Sequence, residues 1–194
     1  MKKLCPYLVC AAALLLFAAV SLQRQQQLAA QLIRFHVVAN SDRDTDQTKK
    51  LEVRDALLPE IEKLTAGCTS REEAAAILAA NAKALGTAAA ETAGEAVTLC
   101  LSPEHYETRH YGSFSLPAGE YLSFQVRIGK AEGKNWWCVA FPSVCTAATA
   151  EEMEAVAVSG GLGGTQLRMM TSDEPDIEVR YLLLEWIAWL RARF

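Results

Sequence analysis

The chain has 194 residues, 51% hydrophobic and 22% charged, enough to build one substantial core. Its formal net charge of -4 and pI near 5.5 leave no broad basic surface to neutralise phosphates. Nucleic acid is therefore set aside as a partner.

Lys2 and Lys3 precede an apolar stretch from Leu4 to Val20 that holds no charge, and polar Gln23-Arg24-Gln25-Gln26-Gln27 closes its far side. This pattern predicts an N-terminal hydrophobic helix over residues 1–27, serving as a signal sequence or membrane anchor with a short polar stalk, followed by an exported domain over 28–194. The apolar run is longer than a common signal core and short of the roughly 20 residues that cross a bilayer. Ala19-Val20-Ser21 offers small residues to a signal peptidase, so cleavage and retention both stay open. Two cytoplasmic lysines orient the remainder outside the membrane. Outside the cytoplasm a pair of thiols reads as a disulfide before it reads as a metal or catalytic site. Cys5 and Cys10 lie in the apolar run, leaving Cys68, Cys100, Cys138 and Cys145 in the exported part.

Ile33, Phe35 and Val37 alternate with Arg34, His36 and Val38, a strand pattern that ends at Asn40-Ser41-Asp42. Asp44 with Gln47 predicts a helix start capped by Asp44, and Val53, Leu57, Ile61 and Leu64 line one face of that helix. Pro59 predicts a kink or a split within it. Ser70 with Glu73 caps a second helix, whose stripe is Ala74, Ile77, Leu78, Ala82 and Leu85, with Gly94 as its stop.

From Val97 the period becomes two, predicting a strand that ends near Pro103. Phe114 and Leu116, then Leu122 to Ile128, then Trp136 to Phe141 predict three more strands, read together as an antiparallel meander over 114–141. Residues 146–172, with Ser159-Gly160-Gly161-Leu162-Gly163-Gly164-Thr165 inside them, read as a mobile loop. No Gly-Lys-Ser/Thr follows those glycines, so they do not make a phosphate cradle. Val179 to Phe194 reads as a helix that docks on the core or lies on a membrane surface. The expected fold is α+β, a mostly antiparallel sheet with helices packed on one face.

Asp42, Asp44 and Asp46 begin like a calcium loop, but Gln47 stands where a turning glycine belongs and Val53 where a bidentate glutamate belongs. No metal or cofactor is expected. Cys138 invites a thiol nucleophile, yet no histidine spacing supports one. Cys138 can instead pair with Cys145 around Pro142, or the two can be buried free thiols. Trp136 and Trp137 point to opposite faces of a strand, so either one fills the core while the other faces a partner, or both lie in the core between sheet and helices.

The segments Ile33-Arg34-Phe35-His36-Val37-Val38-Ala39-Asn40-Ser41-Asp42, Asp46-Gln47, Lys50 and Val53-Arg54-Asp55-Ala56 resemble the stage II sporulation protein R family. So do Leu116-Pro117-Ala118-Gly119-Glu120-Tyr121 and Gly133-Lys134-Asn135-Trp136-Trp137-Cys138-Val139-Ala140-Phe141-Pro142-Ser143-Val144-Cys145. Ser143-Val144 stands where the family has Pro-Leu, and Pro59 is a second departure. The resemblance implies a non-enzymatic signal made in the forespore of a spore-forming bacterium and exported to the space between forespore and mother cell. There it would trigger a membrane-embedded aspartic protease that processes a sigma-factor precursor. Polar and aromatic residues at turns and strand ends then become the expected partner contacts: Glu120, Tyr121, Asn135, Trp136 and Trp137, with Asn40, Asp42 and Arg54 beside them. The alternative is a small exported cysteine-dependent enzyme using Cys138.

Overall fold

A computed structural model of the chain describes residues 5–112, 114–145, 147, 149–171 and 175–193. The fold is α+β and divides into two compact units. One comprises Ala30–Glu104 and Tyr121–Gly163, the other Met1–Ala29, His105–Glu120 and Gly164–Phe194.

The first unit is built on β1 (Ile33–Val38), whose side chains alternate as predicted yet are all buried. β1 lies inside a four-stranded sheet of order β2-β5-β1-β6, with β2 at Val97–Tyr106, β5 at Gly119–Ile128 and β6 at Asn135–Phe141. It runs parallel to β5 and antiparallel to β6. The sheet is thus mixed rather than mostly antiparallel, and the expected meander is interrupted. β5 and β6 are joined by a short connection, but β1 sits between them, a long-range pairing that local alternation does not encode.

Helices α2 (Asp44–Thr65) and α3 (Arg71–Ala93) cover one face of this sheet. Ile33, Phe35 and Val37 of β1 meet Val53, Leu57, Ile61, Leu78 and Leu85 there. The Ser70 cap is present: its hydroxyl accepts from Glu73 N–H at 3.3 Å, and Glu73 accepts from Thr69 N–H at 3.0 Å. Gly94 ends α3 at φ 65°, the left-handed stop that glycine adopts without a Cβ penalty. At α2 the cap position falls on Arg43, with no side-chain cap bond, and Asp44 is the first helical residue instead. α2 also continues through Pro59 as one element. Pro59 and Asp55, whose carbonyl loses its helical N–H partner to the proline, both lie on the exposed side, so the missing bond falls where the backbone is open to solvent. The stretch expected as a mobile loop instead holds two helices, α4 (Ala150–Ser159), capped by the Thr149 hydroxyl accepting from Glu152 N–H at 3.1 Å, and α5 (Gly164–Thr171), which belongs to the other unit.

The second unit contains α1 (Cys5–Ala29), the two-residue strands β3 (Arg109–His110) and β4 (Ser115–Leu116), α5, and α6 (Pro175–Arg193). The stalk glutamines belong to α1, where Ser21, Gln25 and Leu28 form a buried face at spacings of four and three. Tyr181 of α6 donates to the carbonyls of Ser115 (3.1 Å) and Met169. Among the described residues no helix is long and apolar enough to cross a membrane.

Candidate partner-binding surface

The pleat of β6 sends its two tryptophans to opposite faces. Trp136 stands on the helix side, edge-on to Phe35 with ring centroids 5.8 Å apart, and the Arg54 guanidinium of α2 lies 5.2 Å over its ring. Arg54 is held in turn by Asp55 through bonds of 2.7 and 2.9 Å, a two-pronged grip that fixes the guanidinium plane. That hydrogen bonding lowers the Asp55 pKa, so its carboxylate, 63% exposed, stays charged.

Trp137 stacks on His36 on the other face, with centroids 5.6 Å apart and planes 24° from parallel. His36 Nδ1 meets Glu104 of β2 at 2.9 Å. Gln125, beside His36 on β5, approaches the Ser102 hydroxyl at 3.5 Å. Ser102, Gln125, His36 and Trp137 thereby form a polar and aromatic row across all four strands. One step along β1, fully buried Arg34 donates from Nε to the Cys138 carbonyl at 3.2 Å and sits 5.2 Å over the Tyr121 ring.

Tyr121 is only 1% exposed, so it belongs to the interior rather than to a displayed turn. Its place on β5 puts the ring beneath the guanidinium of Arg34. Glu120 is exposed near the start of β5 and falls in the other compact unit. Asn135 is exposed at the start of β6, opposite Val38.

Asn40 and Asp42 are engaged at the end of β1. The β5–β6 connection passes over this end of β1, and Asn40 Oδ1 accepts from Lys130 N–H at 2.9 Å while Asp42 Oδ1 accepts from Lys134 N–H at 2.7 Å. Gly129, at φ 56°, leaves room for Asn40 where a Cβ would collide with its Oδ1. Behind them Asp46 takes hydrogen bonds from Asn40, Ser41 and Arg43, with Ser41 foremost in lowering its pKa against the opposing effect of burial. Lys50 reaches the Lys134 carbonyl at 3.2 Å, and its pKa is lowered chiefly by desolvation.

Cys138 and Cys145 are joined as a disulfide, with Cα atoms 6.3 Å apart. The His36–Glu104 pair and the Asp46 hub were not anticipated. Strand parity placed His36 away from the helices, but its partner on β2 comes from long-range pairing that the sequence does not display.

The stage II sporulation protein R family model matches residues 29–151. The chain belongs to that family. Membership places it among sporulation proteins, and the matched span contains β1, α2, α3 and every strand of both sheets. Stage II sporulation protein R of Bacillus subtilis (strain 168) is 29% identical over 180 residues, covering 81% of this chain and 80% of that protein. No solved structure matches the chain.

Proposed function

We propose that the chain is an exported signal that switches on a membrane-embedded aspartic protease of the mother cell, which then processes a sigma-factor precursor. It is made in the forespore and acts in the space between the two membranes, released by cleavage of its N-terminal segment or held by it. The family assignment supports the sporulation setting. The observation that carries a docking role is the uncovered end of β6: Asn135 is exposed, Trp136 and Trp137 are half-buried, and Arg54 is locked over Trp136, whereas Cys138 to Phe141 are buried. Half-exposed aromatic and arginine side chains fixed in place before binding are suited to anchor a partner at low entropic cost. Asn40 and Asp42 fasten the β5–β6 connection that leads into this end of β6.

The cysteine-enzyme alternative needs Cys138 as a thiolate, and the disulfide to Cys145 consumes that thiol. Arg54→Ala and Trp136→Ala test the docking reading by binding to the extracytoplasmic part of the protease and by processing of the precursor. Each variant, with its fold verified by circular dichroism, should weaken binding about tenfold or more, the range of an interface anchor. Folded variants that bind and trigger processing like the parent would exclude this end of β6.

A further inference from the structure

The outward face of α6 is apolar. Leu182, Trp186 and Trp189 are 65%, 58% and 52% exposed, and their spacings of four and three place them in one stripe. Tyr181 and Leu184 are buried on the opposite side, so the stripe is in addition to the face α6 uses for packing. Arg193 continues the stripe by one turn, its guanidinium 4.8 Å over the Trp189 ring. α6 packs against α1 within the same unit. On α1, Leu14, Leu15 and Leu16 are 70%, 73% and 67% exposed. Three consecutive exposed leucines on a helix cover most of its circumference, so this part of α1 is apolar on nearly every side.

We infer that the Leu182–Trp186–Trp189 stripe of α6 is a second membrane contact, lying in the interface of the lipid bilayer that receives the apolar part of α1. A protein partner would need only one side of α1, whereas lipid accommodates an apolar helix all round. Tryptophan is the side chain that favours the level of the headgroups, with its ring in the apolar boundary and its N–H wet. Arg193 adds a cation where anionic headgroups gather. The apolar run of α1 falls short of a comfortable span, and a short insertion is held firmly when a second attachment accompanies it. This inference rests on the proposed export only in requiring a membrane within reach, and protease triggering does not enter it.

Full-length protein mixed with vesicles of phosphatidylcholine and phosphatidylglycerol, with and without brominated acyl chains, tests it through tryptophan fluorescence. The comparison is the parent against a Trp186→Phe/Trp189→Phe variant, which retains Trp136 and Trp137 and keeps an aromatic ring at each changed position. Two of the four tryptophans lie on the stripe, so brominated lipid should remove up to about half of the parent emission. Emission from the variant should be left nearly unquenched. Equal quenching in both proteins, or none in either, would overturn the inference. So would a blue-shifted parent emission that persists without lipid and grows with protein concentration, because a second copy would then be covering the stripe. None of these outcomes depends on protease binding, so failure here is distinct from failure of the proposed signalling role.

Discussion

The two faces of β1 bury side chains of opposite chemistry. Toward α2 and α3 stand Ile33, Phe35 and Val37, held by apolar contact alone. On the reverse stand Arg34 and His36, against Ser123 and Gln125 of β5, no less enclosed but with hydrogen bonds to direct them. The apolar face derives its stability from area and fit. The polar face gains less from burial and more in geometry, because Arg34 and His36 keep their places only if Cys138, Tyr121, Glu104 and Trp137 keep theirs. The sheet is thus stabilised from one side and held in register from the other.

Substitutions on the two faces should differ in size and kind. Phe35→Ala should be the most damaging, costing about 3–5 kcal/mol in denaturant unfolding, since it opens a cavity between Phe124 and Trp136. Arg34→Ala should cost about 2–3 kcal/mol by leaving the Cys138 carbonyl without this donor, and Arg34→Met should recover part of the loss through packing on Tyr121. A methionine variant as unstable as the alanine one would assign the whole effect to the hydrogen bond. Reducing the Cys138–Cys145 disulfide, which closes a short loop, should remove about 2 kcal/mol, read as a drop in melting temperature with reductant. Glu104→Gln should cost about 1 kcal/mol or less, because the carboxylate is partly solvated.

The Asp46 hub at the end of β1 provides a test in pH. The Asp46 pKa is lowered in the folded chain, foremost by Ser41, so its stabilisation is complete above the unfolded value near 3.8 and is lost as pH falls through the lower folded value. Acid titration of unfolding should therefore show a slope below about pH 4 that Asp46→Asn flattens. An unchanged slope would remove Asp46 as the acid-sensitive group.

Local pattern revealed much of the fold. Alternation exposed β1, the Ser70 and Gly94 signals bounded α3, and parity separated Trp136 from Trp137. Strand order was hidden because β1 takes a parallel neighbour far along the chain, and such pairings leave no local periodicity. α4 was hidden by the glycines that follow it, although Thr149 with Glu152 carries the same capping signal that located α3. At the candidate site, residue types were readable but their duties were not. Tyr121 and Asn40 look alike as polar groups near turns, yet one ring lies under a guanidinium and one amide fastens a crossing connection.

The insertion of β1 between β5 and β6 also has a consequence for assembly. Ile33 pairs with Leu122, roughly 90 positions later, so a chain emerging from its N-terminus carries its central strand long before either neighbour exists. Helices α2 and α3 can pair by themselves in the interval, but β1 has no strand to pair with until β5 arrives, and the sheet is complete only with β6. Folding of the sheet is then deferred until most of the polypeptide has been made, so this chain stays open for longer than one whose central strand pairs with its neighbours in sequence.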